Sequence, residues 1–218
     1  MQKNKEDFFM EEILQNFFGS IGGQLLTIAI IVILMILVAK TDKKKMDVNV
    51  MVKTAILIAI AYVLNQITLF RMPQGGSVTP FSMLFVVLVG YLFGVKQGVI
   101  AGVVFGLLDL LINPYVIHPV QLILDYPLAF GALGIGALLR NQKNGLIKTY
   151  LIGILGRFIV SSLSGIIFFL DVTNGVWVGL ITAIGYNFTY IAAEGFATVL
   201  ILFIPQLKNL FDKYKINQ

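Results

Sequence analysis

The 218-residue chain contains no cysteine and a single histidine. Without cysteine there is no disulfide, no thiolate metal site and no cysteine nucleophile, although that absence says nothing about compartment. His118 alone cannot build a histidine-rich metal site, and neither a metal nor a cofactor is expected. Charge is scarce as well. Asp, Glu, Lys and Arg make up 12% of the residues, against about 25% in a soluble domain. Catalytic and nucleotide-binding signatures are missing too. There is no G-x-x-x-x-G-K-[ST] loop to cradle ATP and no H-E-x-x-H. The run Gly131-Ala-Leu-Gly134-Ile-Gly136 lies inside an apolar stretch. Ser161-Ser162-Leu163-Ser164-Gly165 lacks the glycine that a serine-protease motif would want at Ser162. An enzyme is not expected.

In place of charge there are hydrophobic residues, 58% of the chain. A bilayer core about 30 Å thick takes about 20 apolar residues to cross as a helix. The sequence predicts seven such spans, near 21–39, 52–70, 79–94, 98–113, 120–139, 148–170 and 176–204. Pro205 ends the last, because proline cannot continue a helix without losing a hydrogen bond. The first 20 residues are amphipathic, with Phe8, Phe9, Ile13, Leu14, Phe17 and Phe18 among Glu and Asn, and read as an interfacial segment. Lys40 to Lys45 follow the first span as a stop-transfer flank rather than a signal-peptide cleavage site.

The cations give the orientation. Alternate loops hold Lys40, Lys43, Lys44, Lys45, Lys53, Lys96, Arg140, Lys143, Lys148, Lys208, Lys213 and Lys215, while the opposite loops hold only Lys3, Lys5 and Arg71. Twelve against three is a positive-inside bias, with the N-terminus outside and the C-terminus cytoplasmic. The net charge of +5 is therefore a matter of membrane orientation, and no nucleic-acid partner is expected.

Two patterns sit within the spans. Gly90, Gly94, Gly98, Gly102 and Gly106 recur every four residues, and Ala55 and Ala59 make a further small-xxx-small pair. Such spacing lets helices approach closely in lipid. The second pattern is ionisable: Asp109, Asp125, Arg157 and Glu194 lie within spans, where each is a functional candidate. Arg157 and Glu194 share a depth and are expected to pair. Arg157, Ser161, Gly165 and Phe169 fall four apart on one stripe, which faces the bundle because arginine avoids lipid. Asn187 lies at the depth of Ser161, flanked by Tyr186 and Tyr190. These residues are expected to form a pocket open to the outside and closed below by Arg157. Pro127 should loosen its helix beside Asp125 and Tyr126, freeing backbone groups. His118 reads as a satisfied loop residue, with no acid or nucleophile near it in sequence.

Arg71-Met-Pro-Gln-Gly-Gly-Ser-Val78, the glycine ladder, Asn113-Pro-Tyr-x-x-His-Pro-x-Gln121 and Leu124-Asp-Tyr-Pro-Leu-Ala-Phe130 resemble the thiamine-binding S components of energy-coupling factor (ECF) transporters. The resemblance spans about 50 to 205. It implies an all-α integral membrane protein: a six-helix S-component bundle at 49–218, preceded at 1–48 by an interfacial segment, an extra transmembrane helix and a basic loop. It implies that Asp125 and Tyr126 hold an aminopyrimidine and that Tyr115 packs on a thiazolium, with Asn187 also fitting the family pattern. A carboxylate accepts the amine's N–H groups and an aromatic face attracts the cationic ring. The family commonly has His at Ser161 and Trp at Phe169, so the aromatic cage is thinner here. Tyr115, Gln121, Asp125, Tyr126, Arg157, Ser161, Phe169, Asn187 and Tyr190 are the expected substrate contacts. The implied partners are thiamine or a related vitamin, a transmembrane coupling subunit reached through Ala55 and Ala59, two ATPase subunits and the bilayer. The alternatives are an S component for another vitamin and a self-sufficient secondary transporter, whose inverted repeats are not evident.

Overall fold

The computed structural model describes residues 16–40, 42 and 47–215. The amphipathic segment before residue 16 and Lys43 to Lys45 lie outside the described residues. The helices are α1 (Ile21–Ala39), α2 (Val48–Gln66), α3 (Ser82–Phe93), α4 (Val95–Ile112), α5 (Pro119–Leu139), α6 (Gly145–Phe169), α7 (Val176–Leu202) and α8 (Pro205–Tyr214). Between α2 and α3 the chain makes a short hairpin, β1 (Phe70–Arg71) against β2 (Ser77–Val78), with Phe70 opposite Val78 and Arg71 opposite Ser77.

Six helices, α1, α2 and α4 to α7, are long and apolar enough to cross a membrane. Their outward side chains are apolar, as on α1 with Leu25, Leu26, Ile33 and Leu37 and on α7 with Ile181, Phe188 and Phe196. These faces belong in lipid, and the chain is a multi-pass membrane protein. The seventh expected span differs. α3 has only 12 residues, about 18 Å at 1.5 Å per residue, well short of a bilayer core. The residues expected to lengthen it turn away: Thr79 and Pro80 leave the hairpin, and Phe81 takes a left-handed conformation (φ +63°) before Ser82. Its shortness is tolerated because α3 is the hub. Every α3 residue except Phe85 is buried, with α2, α4, α5 and α6 around it.

Glycine sets the spacing around that hub, with one correction to the ladder. Gly94, which is buried, is also a turn: at φ +109° it is the elbow that joins α3 to α4 without a loop, a conformation glycine adopts without the Cβ penalty. Gly98 packs. A Cβ there would lie 2.7 Å from the Gly90 Cα and 3.0 Å from the Gly134 Cα, so α3, α4 and α5 meet backbone to backbone.

α5 is the irregular helix. One α turn (Pro119–Ile123) opens into a π turn (Leu124–Leu128), recovers over Ala129–Ala132 and tightens to 3-10 over Leu133–Leu139. Pro127 sits inside the π turn. It lacks an N–H and its ring clashes with the carbonyl four residues back, so the helix widens there. α1 lies against this irregular helix and α4 through Ile31 and Met35, which share a core cluster with Val99, Leu124 and Leu128. Ala55 and Ala59 are both exposed on α2, so neither packs internally.

Candidate substrate cavity

One end of the bundle encloses a cavity of about 360 Å³, within the range of small-molecule sites. The nine residues expected as substrate contacts, Tyr115, Gln121, Asp125, Tyr126, Arg157, Ser161, Phe169, Asn187 and Tyr190, all line it. They come from the loop after α4 and from α5, α6 and α7. The hairpin from Arg71 to Ser77 adds a further wall.

The lining is held by hydrogen bonds that the sequence does not reveal. The Tyr126 hydroxyl donates to the Asn113 carbonyl (2.9 Å) and accepts from the Tyr115 N–H (2.6 Å). Gln121 donates from Nε2 to the Tyr115 carbonyl (3.0 Å) and to Asp125 Oδ2 (2.6 Å), and its Oε1 accepts from the Ile117 N–H (3.2 Å). The π turn and its neighbour thus clamp the 113–117 loop and aim Tyr115 across the cavity. The Tyr115 ring runs nearly parallel to Phe169, at 28° with centroids 6.3 Å apart. His118 behaves as a loop residue: its Nδ1 accepts from the Val120 N–H (3.2 Å) and its ring lies beside Phe168.

On the opposite wall Asn187 accepts from the Tyr190 hydroxyl (2.8 Å) and donates to the Ala183 carbonyl (3.1 Å). Gly165 leaves room for it, since a Cβ there would stand 2.9 Å from Asn187 Nδ2. The Tyr186 hydroxyl accepts from the backbone N–H groups of Gln74 (3.0 Å) and Gly76 (3.1 Å), pinning the hairpin over the cavity.

The expected Arg157–Glu194 pair is not made. Glu194 turns instead to the start of α3, where Phe81 offers no side-chain cap. Its Oε1 accepts from the Met83 N–H (2.8 Å) and Ser82 Oγ (3.3 Å), and its Oε2 from Thr79 Oγ1 (2.7 Å) and the Thr79 N–H (3.4 Å). A carboxylate at a helix N-terminus satisfies orphan donors and opposes the dipole, which an arginine partner on a parallel depth cannot better. Arg157 packs its guanidinium 4.0 Å above the Phe130 ring, a cation–π contact. Asn65 and Phe130 also line the cavity, as do Asp109 and Glu194, which the sequence marks as intramembrane charges, and Tyr186, which it places beside Asn187. Asp109 and Asn113, one turn apart at the end of α4, carried a visible signal. Asn65 carried none.

An apolar helical bundle with a polar, aromatic-walled cavity at one end defines a multi-pass membrane protein built around a small-molecule site. Its lineage is specific. The sequence model of the family described as "Thiamine transporter protein (Thia_YuaJ)" matches residues 51–212, and the chain belongs to that family. The thiamine transporter ThiT of Bacillus subtilis (strain 168) is 33% identical over 171 residues, covering 70% of this chain and 87% of that protein. The solved structure of ThiT from Listeria monocytogenes superposes with a TM-score of 0.60 at 22% identity, covering 74% of this chain and 96% of that one. A second solved structure, described as the S component of a bacterial ECF transporter, gives a TM-score of 0.49 at 19% identity, over 77% and 98%. The family match begins within α2, so α1 precedes it.

Proposed function

We propose that the protein is the substrate-binding membrane subunit of an ECF-type uptake transporter, with thiamine or a close relative as its ligand. Membership of the thiamine transporter family carries this reading, and the cavity's chemistry supports it. Five acidic or basic side chains line it: Asp109, Asp125 and Glu194 against Arg71 and Arg157. With all five ionised the lining carries one surplus negative charge, which a monocation neutralises. Tyr115 and Phe169 offer faces to a cationic ring, and Asp125 accepts from an aminopyrimidine. Asp125, Tyr126, Tyr115, Asn187, Tyr190, Gln121, Ser161, Phe169 and Arg157 are the proposed contacts. Gln121 and Tyr126 act largely by holding the loop that bears Tyr115.

The cavity opens outward in this reading. Lys96, Arg140, Lys143, Lys148, Lys208 and Lys213 gather at the other end of the helices, as for a cytoplasmic face. The chain has no nucleotide loop, so energy comes from a transmembrane coupling subunit and two ATPase subunits. The exposed Ala55 and Ala59 on α2 suit close approach by that coupling subunit. Calorimetry of the purified chain against thiamine, its pyrimidine and thiazole halves and other vitamins tests the ligand. Proteoliposomes with and without coupling subunits and ATP test the assembly. Thiamine should bind, and uptake should require the partners. ATP-independent accumulation by the chain alone would make it a secondary transporter.

A further inference from the structure

The three carboxylates of the cavity differ in how much accepting capacity the protein leaves them. Glu194 is occupied on both oxygens by Thr79, Ser82 and Met83. Asp125 accepts from Gln121 at Oδ2 and has the buried Ser164 hydroxyl beside its carboxylate. Asp109 is held differently. Asn65 Nδ2 from α2 (2.7 Å) and Asn113 Nδ2 from the end of α4 (3.1 Å) both converge on Oδ1. Its Oδ2 accepts from no described residue. Two amides on one oxygen fix the carboxylate's rotation from two helices. The other oxygen, with its lone pairs, is left to whatever occupies the cavity that Asp109 lines.

Thiamine carries its strong hydrogen-bond donors at two ends, the pyrimidine amine and the hydroxyl of the thiazolium side chain. Two carboxylates of the cavity, Asp125 and Asp109, keep accepting capacity, and on Asp109 it is a whole oxygen. We propose that Asp109 is a second recognition point, which accepts the ligand's hydroxyl and discriminates against phosphate esters of that alcohol; the inference rests on the thiamine reading above. A free hydroxyl donates to Oδ2. Esterification removes that donor and sets a phosphate beside a carboxylate whose geometry cannot relax, a like-charge juxtaposition that disfavours the wrong ligand. A site built to receive a hydroxyl also rejects an analogue that lacks it, because the acceptor is then left unpaired.

The alternative is that Asp109 only ties α2 to α4, and the two roles separate by selectivity. Calorimetry on the full chain would compare thiamine, thiamine monophosphate and an analogue with an ethyl group in place of the hydroxyethyl side chain. The wild-type protein should prefer thiamine to both. Asp109→Asn, which keeps the size and loses the charge, should shrink the preference over the monophosphate by about ten-fold or more. Asp125→Asn should weaken all three ligands in proportion. Parallel weakening by Asp109→Asn, or an unchanged ratio, overturns the proposal and leaves the thiamine reading standing. If no ligand binds the wild-type chain, the thiamine reading falls and this inference with it. Should Asp109→Asn not fold, Asp109→Glu decides. It keeps the charge one methylene away, so monophosphate should still be rejected while the preference over the ethyl analogue falls. Both preferences unchanged would overturn the proposal.

Discussion

The two ends of the bundle are built from the same helices by opposite means. Away from the cavity and in the middle, α3, α4 and α5 meet through glycine, with Gly98 against Gly90 and Gly134 and no side chain between backbones. At the cavity end polar atoms take over: Asn65 of α2 reaches across to Asp109 of α4, while Asn113 to Asp109, Gln121 to Asp125 and Tyr190 to Asn187 are bonds made within one helix or at its end. α4 shows the change along one element. Gly98, Gly102 and Gly106 give way within three residues to Asp109, and a turn later to Asn113. In lipid, association relies on packing rather than on water exclusion, so the close-packed part holds the fold. The polar part is free to specialise in a ligand.

That division can be broken experimentally, and the largest effect is expected where backbones touch. A Cβ on Gly102 would collide with the Phe130 carbonyl and crowd the Gly131 Cα. Gly102→Leu should cost at least about 3 kcal/mol, the upper end for overpacking, because backbone must move. Thermal unfolding in detergent should find the variant aggregated or strongly destabilised. A folded variant with native stability would show that the glycine contacts do not hold the two helices together.

Glu194 marks the boundary between the two parts, since it lines the cavity yet caps the hub helix. Glu194→Gln replaces a charged acceptor of four hydrogen bonds with an amide that has one acceptor oxygen. Stability should fall by about 1.5–3 kcal/mol, the range for hydrogen bonds to charged groups. Ligand affinity should change less than stability. If affinity falls steeply while the unfolding temperature holds, Glu194 belongs to the ligand and the boundary moves inward.

The residues from which these contacts come were only partly legible in the sequence. Apolar run length gave the long helices, and Pro127 announced the π turn that carries Asp125 and Tyr126. Four-residue spacing announced the approach at Gly98 and Gly102, and the stripe from Arg157 to Phe169 faces the cavity as periodicity requires. Length could not announce α3, because a helix surrounded by other helices need not match the bilayer. Equal depth did not pair Arg157 with Glu194, because depth along a helix leaves rotation open, and a cap 111 residues away in sequence offered more donors. The clamps by Tyr126 and Tyr186 on loop N–H groups were equally invisible. A tyrosine carries no mark of the backbone it will meet.

At the cavity end, a single hydroxyl tests whether the polar half can be loosened alone. Tyr186→Phe leaves the Gln74 and Gly76 N–H groups without their acceptor, which water can partly replace at this exposed hairpin. Affinity should fall by about 1 kcal/mol, the usual net worth of a neutral hydrogen bond, or roughly five-fold. Dissociation should account for most of it. The unfolding temperature should hardly move. A shift in stability as large as the shift in affinity would mean that the hairpin supports the bundle as well as the cavity.

The smallest effect on affinity is expected at the far end, where α8 is fastened under the α3–α4 elbow. The Tyr91 hydroxyl donates to Asp212 Oδ1, and Lys215 Nζ donates to the Arg140 carbonyl (2.6 Å) while sitting 5.0 Å from the Tyr91 ring centroid. Arg140 in turn donates to the Tyr91 and Leu92 carbonyls (2.9 and 3.0 Å), closing the C-terminal end of α3. Lys215 is held below the usual lysine range, first by burial and then by the nearby Arg140 charge, so its bond to a neutral carbonyl is a weak fastening. Tyr91→Phe removes one hydroxyl and keeps the buried ring; the Asp212 carboxylate it abandons is exposed and can be solvated, so the cost should be about 0.5–1.5 kcal/mol of stability rather than the full value of a bond to a charged group. It lies beyond the glycine-packed middle from the cavity, so thiamine affinity should stay within about two-fold, as for distant independent sites. Calorimetry and thermal unfolding on the same sample measure both. A matched loss of affinity would mean that the short α3, gripped at one end by Arg140 and at the other by Glu194, transmits changes through the hub, and the two ends would then have to be treated as one coupled element.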